Sequence, residues 1–396
     1  MAWLGLKTLA FTPLTRSNIP TDIPPPNWAD QIRQRVFFDP AKDPKTGQPT
    51  GADRSLRAYF HTVSSGLADL DVVVQLPEAV VGKGPGGTDV APDVLEATKG
   101  NLLRANGFDG AAIVMLGGPG GGSTAQLSNF AWSRFCMSDN LGNWVGEINH
   151  QTNLNDLPDL FDFAGSFPAD ANMGPFEQEA GYLATHPCAW TKRALGWLDP
   201  STVRLHIGRV ADYTLHAISL IQPPPAGRIA AVQIGQQVPY LMVEARLRAD
   251  QFDINIPSEG VIVYQVQTTD PLGNAQNDTA PLALLTKTAL AVGQSFQTDN
   301  GVTVQVNSSV LGGGFLITVN DPVNAVDYVP NVIEEYQTQA SNELTNAGFI
   351  PDPYIPPKYQ GYPASSLWVQ SQDPAGGTTA TLGSAVKITL VGNDIP

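Results

Sequence analysis

Charged residues are scarce in this sequence, and positive charge is the scarcer sign. Charged residues make up 15% of the 396 residues, against about 25% in typical globular proteins. The sequence has 22 Lys and Arg residues and 37 Asp and Glu residues, which gives a net charge of −15. Nucleic-acid-binding proteins cluster Lys and Arg against phosphates, and anionic membrane surfaces attract the same residues. We therefore expect neither nucleic acid nor an anionic lipid surface as a partner.

Cysteine is nearly absent, because Cys136 and Cys188 are its two examples. Two cysteines exclude a disulfide-rich scaffold and a zinc module built on cysteine. They leave two interpretations open. One is a single disulfide that closes a loop of about 50 residues and stabilises the fold by roughly 4 kcal/mol. The other is a pair of buried free thiols.

Long apolar segments are also missing. No stretch reaches the roughly 18 consecutive apolar residues that predict a membrane-spanning helix. The N-terminal residues Met-Ala-Trp-Leu-Gly-Leu-Lys do not have the basic segment and apolar core of a signal peptide. If the protein is exported, this sequence is therefore a mature form or the export route is a different one.

Glycine and proline, in contrast, are abundant. The 38 glycines and 33 prolines exceed the average shares of about 7% and 5%, and they follow no collagen-like period. This excess predicts many turns and a β-rich architecture. Because 42% of the residues are hydrophobic, the chain can bury real cores. Its length suggests two or three domains.

Three regions with different patterns follow one another along the chain. Residues 1–200 mix helix and strand signals. Residues 201–322 contain short strands between turns, one of them at 260–266, which predicts an antiparallel β-sandwich. Residues 328–393 combine a short strand at 329–332 with a helix and two further strands. The predicted fold class is α+β, with these three regions as domains. The predicted helices cover residues 28–36, 55–63, 93–105 and 338–344. In the second of them, one apolar face contains Leu56, Tyr59, Phe60 and Val63.

The most informative segment contains Glu147 and His150. In zinc peptidases of the His-Glu-x-x-His type, two histidines at i and i+4 reach one metal, and the Glu between them polarises the bound water. Glu147 and His150 occupy the second and fifth positions of that pattern, but the first position is Gly146. One metal ligand is therefore missing. The glycine also weakens a helix by about 1 kcal/mol relative to Ala.

Five segments in chain order resemble the immune-inhibitor-A-type (gametolysin-like) metallopeptidases, a secreted zincin family. Two of them are Leu-Pro-Asp-Leu-Phe-Asp after His150 and Ser-Leu-Arg-Ala-Tyr-Phe upstream, and it is the order of all five that carries the resemblance. The resemblance covers roughly residues 5–320. It implies a zincin-like domain over residues 1–200, followed by the β-domain. The five segments are 55–66, 157–162, 189–200, 240–246 and 256–261.

The resemblance assigns roles to the residues around His150. The first histidine ligand of the family falls on Gly146, its general base on Glu147 and its second histidine on His150. The third ligand is either Asp156, which lies six residues after His150, or Asp159, which the Leu-Pro-Asp-Leu motif selects. The second choice implies an insertion of three residues.

Met173 and His186 each have two interpretations. Met173 is either the methionine turn that lies under the metal in this family or an ordinary core residue. His186 is either a replacement ligand or part of a structural His-Pro-Cys-Ala-Trp segment. The histidines expected to be packing or surface residues are His61, His206 and His216.

The number of ligands decides between two functions. A catalytic zinc usually has three protein ligands and a water, whereas one histidine and one aspartate remain here beside Glu147. We therefore predict an inactive relative of a zinc metallopeptidase, without a cofactor, that acts as a secreted or cell-surface binding or assembly protein. The alternative is an active zinc endopeptidase with an altered metal site.

The C-terminal region resembles a PASTA domain, the small module of penicillin-binding proteins and bacterial Ser/Thr kinases. Val-Pro-Asn-Val at 329–332, Ala-Gly-Phe at 347–349 and the segment 369–377 match its pattern in order. The resemblance implies peptidoglycan as a partner, or a role in spacing and assembly. The other expected partners are a protein, a cell surface or a second copy of this chain.

A possible calcium site lies in the loop at residues 270–278, which is rich in Asp and Asn. The loop lacks the EF-hand spacing and a Glu at its end. The other interpretation is therefore a solvated hairpin loop.

Overall fold

The chain forms a mixed α and β structure with several sheets and few helices. This confirms the mixed class predicted from the sequence. No helix in the part of the chain that the structure describes is long and apolar enough to cross a membrane. The computed structural model describes residues 3–17, 23–80, 99, 102–117, 123–127, 130–151, 154–157, 160, 173–268, 281–322 and 326–392.

A six-stranded sheet organises the N-terminal region. Its strands are β1 (Gly5–Arg16), β4 (Ala68–Val74), β5 (Glu78–Val80), β6 (Gly110–Met115), β7 (Ser123–Leu127) and β8 (Phe130–Cys136). The order is β4-β1-β6-β8-β7, with β5 beside β1. All neighbours are parallel except β7, which runs antiparallel to β8. A separate hairpin precedes β4 and consists of β2 (Pro40–Lys42) and β3 (Pro49–Asp53).

Three helices pack on this sheet through one apolar cluster. They are α1 (Trp28–Phe37), α2 (Leu56–Val63) and α3 (Leu141–Asn149). Ser55 begins α2 by accepting a hydrogen bond from Ala58 N at 3.2 Å. The predicted helices at 28–36 and 55–63 are confirmed, and of the one at 93–105 only residues 99 and 102–105 are described, as helix. The apolar face predicted for α2 is fully buried and consists of Leu56, Tyr59, Phe60 and Val63.

Two further sheets follow, after the short helices α4 (Gln178–Gly181) and α5 (Ala189–Ala194). The strands are β9 (Val203–Leu205), β10 (Val210–His216), β11 (Ala231–Ile234), β12 (Tyr240–Arg246), β13 (Gly260–Val266), β14 (Leu282–Leu284), β15 (Ser295–Gln297), β16 (Thr303–Ser309) and β17 (Gly314–Asn320). The sheets β14-β13-β12-β11-β9 and β10-β17-β16-β15 share one apolar cluster. The pairing of β9 with β11 is parallel, which differs from the expected antiparallel pattern.

Another apolar cluster contains residues from both sides of residue 200. Trp190 and Leu198 pack there with Met242 of β12 and Tyr264 of β13. The N-terminal region and the following sheets are therefore joined by a continuous core. Cys136 and Cys188 are both free and buried.

The C-terminal region has its own apolar cluster. Its elements are β18 (Val326–Tyr328), α6 (Gln337–Asn346), β19 (Ile350–Tyr354), β20 (Leu367–Asp373), β21 (Thr379–Thr381) and β22 (Ala385–Gly392). Ala340 and Leu344 of α6 pack on the sheet β19-β22-β20. The strand predicted at 329–332 is wrong. Those residues form no strand and follow β18, and Pro330 has no N–H group for a strand hydrogen bond.

Candidate functional site

Helix α3 carries the residues predicted to bind metal. Asn140 begins the helix, and its Oδ1 accepts a hydrogen bond from Asn143 N at 3.0 Å. His150 follows the last helical residue and its backbone N donates to Gly146 O at 3.1 Å. Gly146 and His150 are therefore about one turn apart on the same face, as the spacing predicts.

Tyr182 occupies the side of α3 on which the missing ligand would lie. A Cβ atom on Gly146 would be 2.3 Å from Tyr182 Cε1 and 2.7 Å from Cδ1. One turn earlier, a Cβ atom on Gly142 would be 1.9 Å from Tyr182 O. Real Cβ atoms do not approach other atoms this closely. Both positions must therefore be glycine for Tyr182 to pack against the helix.

The backbone at Tyr182 is held in an unusual conformation. It ends α4 with φ 49° and ψ 41°, in the left-handed region, which costs a residue with a Cβ roughly 1–2 kcal/mol. Gln178 stabilises this turn from two sides. Its Nε2 donates to Gly142 O at 2.8 Å, and its Oε1 accepts from Ala184 N at 2.7 Å.

Both ring nitrogens of His150 have protein partners. Nδ1 lies 2.6 Å from Leu157 O, and because a carbonyl can only accept, Nδ1 carries the proton. Nε2 lies 3.2 Å from the Tyr182 hydroxyl oxygen. Tyr182 therefore lies against the nitrogen with which this imidazole would bind a metal.

Glu179 completes this cluster and was missed from the sequence. Its side chain is fully buried, with Oε2 3.8 Å from His150 Nε2. Oε1 accepts from Asn149 Nδ2 at 2.8 Å, and Asn149 Oδ1 accepts from Asn155 Nδ2 at 2.7 Å. Its spacing from His150 matches no motif considered above, so no sequence signal pointed to it.

Of the other three predicted site residues, the structure describes Glu147 and Asp156. Glu147 is buried in α3, and its backbone O accepts from Ser133 Oγ at 2.6 Å. Asp156 is half-buried at a positive φ of 53°. Asp159 lies outside the described residues, as does the possible calcium loop at 270–278. Among the residues that are described, no three His, Cys, Asp or Glu side chains are grouped to hold a metal ion.

Met173 and His186 both have structural roles. Met173 is buried in the cluster of Trp190 and Met242, rather than in the one that contains α3. His186 is buried with Nε2 2.7 Å from Asp250 Oδ2. These contacts favour the packing interpretation of both residues. His206 and His216 are buried and His61 is exposed, as expected.

A second polar cluster surrounds Arg246, at the end of β12. The guanidinium is fully buried and binds both carboxylate oxygens of Asp253, each at 3.0 Å. It also donates to Glu244 Oε1 at 3.3 Å and to the carbonyls of Phe176 and His186. Burial lowers the pKa of Arg246, but the charges of Asp253 and Glu244 outweigh burial and raise it above its ordinary value.

Lys192 extends this cluster into α5. Its Nζ donates to His186 Nδ1 and to Ile218 O, each at 2.9 Å. His186 Nδ1 therefore carries no proton, and Nε2 donates to Asp250. Burial lowers the pKa of Lys192 to about 8. The cluster connects α5 with the following sheets through charged groups.

No family model matches the sequence, and no curated protein shows significant similarity to it. The resemblances to a metallopeptidase and to a PASTA domain therefore rest on the motifs given above.

Proposed function

We propose that this protein is an extracellular, non-catalytic binding or assembly protein, built on a scaffold that resembles a zinc metallopeptidase. The contact of Tyr182 with Gly146 and His150 carries the proposal. The extracellular location follows from the resemblance to a secreted family.

The side chains around His150 do not fit a catalytic zinc. A zinc–nitrogen bond is about 2.0–2.1 Å long, whereas the Tyr182 oxygen lies 3.2 Å from Nε2. A zinc ion on the same side of Nε2 would be only about 1 Å from that oxygen. Tyr182 would have to leave before His150 could bind zinc, and Gly146 still supplies no ligand.

In the zinc peptidase mechanism, Glu147 would act on a water that the metal activates. Zinc lowers the pKa of a bound water from 15.7 to about 7. Without that shift a carboxylate does not produce hydroxide at neutral pH. This argument supports a binding function over the alternative, an endopeptidase with an altered metal site.

The C-terminal region supports the binding part of the proposal. A cavity of about 660 Å³ lies along α6 and is lined by Tyr336, Asn342, Glu343 and Ser365, among others. Tyr336 is 55% exposed, so its ring is accessible to a partner. Together with the PASTA resemblance, this cavity makes peptidoglycan our first proposed partner, and a protein or a second copy of the chain the others.

Metal analysis of the purified full-length protein tests the proposal. After exposure to zinc and dialysis, we expect well under one zinc ion per chain, and His150→Ala should not change that amount. His61→Ala is the matched control, because His61 is exposed and outside the site. One zinc per chain that is lost in His150→Ala and kept in His61→Ala would overturn the proposal.

A paired substitution tests whether Gly146 stands at the position of the lost ligand. Gly146→His alone should bind no zinc, because its side chain meets the Tyr182 ring. Combined with Tyr182→Gly, it restores two imidazoles about one turn apart, and zinc should approach one ion per chain. Tyr182→Gly alone is the control. If the double variant folds and binds no zinc, the assignment of Gly146 is wrong.

A further inference from the structure

A second cavity, of about 680 Å³, lies between the C-terminal end of α5 and the sheet that contains β11 and β12. Its described lining contains one cation, several amides and two aromatic rings, but no acidic side chain. This is unusual in a chain with 37 acidic and 22 basic residues. The residues that define its chemistry are Trp190, Arg193, Gln233, Gln236, Gln237 and Tyr240.

Arg193 is the cation of this cavity. Nη1 donates to Gln233 Oε1 at 3.4 Å and Nη2 donates to the Tyr240 hydroxyl at 3.3 Å. Both bonds are long and both acceptors are neutral. No ion pair among the described residues includes Arg193. Three of the five guanidinium donors therefore have no acceptor within the described part of the chain.

The walls around Arg193 are rigid. Trp190 is 2% exposed and Tyr240 is 8% exposed, and both belong to the core cluster that joins the two regions. Arg193 is half-buried, and its two hydrogen bonds hold the guanidinium against these walls before any ligand arrives. Such preorganisation lowers the entropy cost of binding. Carboxylates are matched ligands, because their two oxygens accept two parallel N–H groups.

The amides specify a second property of the ligand. Gln237 is exposed and has no hydrogen-bond partner among the described residues, and Gln236 binds Thr379 through its Nε2 alone. An amide offers both donors and an acceptor, as a hydroxyl group does. Hydroxyl groups beside a carboxylate would therefore find partners on this wall.

We propose that this cavity binds a hydroxylated carboxylate, such as a sugar acid. A phosphate is a poorer match, since it carries about −1.5 to −2 charges and is usually bound by several basic groups, whereas the cavity supplies one. The proposal concerns a site apart from α3 and does not depend on the proposed function.

Calorimetric titration of the full-length protein with glucuronate tests the ligand class. Glucose has the same ring without the carboxylate, and acetate has the carboxylate without hydroxyls. We expect glucuronate to bind at least about tenfold more tightly than either, as one charge-assisted hydrogen bond would provide. Equal affinity for glucose, or tighter binding of inorganic phosphate, would overturn the proposal.

Substitutions at Ala194 test the location without removing a contact. This half-buried residue lines the cavity beside Arg193. Ala194→Glu places a carboxylate there and should weaken glucuronate binding by about tenfold or more. Ala194→Gln has the same shape without the charge and should change the affinity much less. Arg204→Gln, at an exposed arginine of β9, should have no effect.

Thermal unfolding establishes that each of these variants is folded. A folded Ala194→Glu variant with undiminished glucuronate binding would place the ligand elsewhere and refute the proposed site. The same holds if Ala194→Gln and Ala194→Glu weaken binding equally, because the effect would then be one of size rather than charge.

Discussion

His150 and His186 are both bonded through both ring nitrogens, but their partners differ in kind. His150 has two uncharged groups at hydrogen-bond distance, a backbone carbonyl and a tyrosine hydroxyl, while the Glu179 carboxylate lies 3.8 Å from Nε2. His186 lies between the carboxylate of Asp250 and the ammonium of Lys192, which are charged. The hydrogen bonds of His150 are therefore to uncharged groups, with one buried carboxylate, Glu179, farther away. The junction between α5 and the sheet that contains β12 is held by paired charges, which include Lys192, Arg246 and Asp253.

This difference determines how each region responds to substitution. A buried charge that loses its partner keeps its full desolvation cost. A neutral hydrogen bond contributes only about 0.5–1.5 kcal/mol net. We therefore expect the junction to be the more fragile of the two polar clusters, although it lies farther from the predicted site.

Arg246→Met should produce the largest loss of stability. It leaves Asp253 and Glu244 buried without the cation that both contact. Breaking such a pair from one side costs about 3–5 kcal/mol. Urea unfolding measures the loss, and Arg204→Met at an exposed position is the control. A loss below about 1 kcal/mol would mean that the cluster does not stabilise the junction.

Lys192 should make stability depend on pH in the alkaline range. The pKa of this side chain is about 8 in the folded protein, against an ordinary value of 10.5. Between these values the unfolded chain binds more protons, so stability rises with pH, by roughly 3 kcal/mol over the full interval. Lys192→Met should remove this rise. Equal slopes in the two proteins between pH 8 and 10.5 would contradict the assignment.

Gly146→Ala should lower the free energy of unfolding by about 1–3 kcal/mol, because the new Cβ collides with the Tyr182 ring. In a Tyr182→Gly background the collision is gone, and alanine should stabilise by up to about 1 kcal/mol through helix propensity. The sign of the effect therefore depends on residue 182. Chemical denaturation of the four proteins in this cycle measures the coupling. Additive effects would show that Tyr182 does not restrict position 146.

Local patterns in the sequence were sufficient to predict several helices and strands. The apolar spacing of Leu56, Tyr59, Phe60 and Val63 correctly predicted the buried face of α2. The strand at 260–266 was predicted with its observed bounds. Both depend on residues close in sequence, where side-chain periodicity reports directly on which face is buried.

The decisive contacts depend on residues far apart in sequence. Gly146 looked like a weak point of a helix, and its role emerges only from Tyr182, which approaches from a later turn. The left-handed backbone of Tyr182 could not be predicted either, because tyrosine rarely adopts a positive φ. Glu244 and Arg246 did offer a signal. Two charges at alternate positions of an apolar strand point to one face and predict a buried pair.

If the proposed relationship to zinc metallopeptidases holds, the packing of Tyr182 on α3 restricts how this sequence could regain a metal ligand. A substitution that returns a side chain to position 146 meets the tyrosine ring before it can meet a metal. Reversal must begin at residue 182, which is outside the metal-binding pattern, and that first step removes the hydrogen bond to His150. The first variant on this route, changed at residue 182 alone, is therefore less stable and still has no metal site. Selection acting on single changes would keep the closed form, even in a lineage where the metal would be useful.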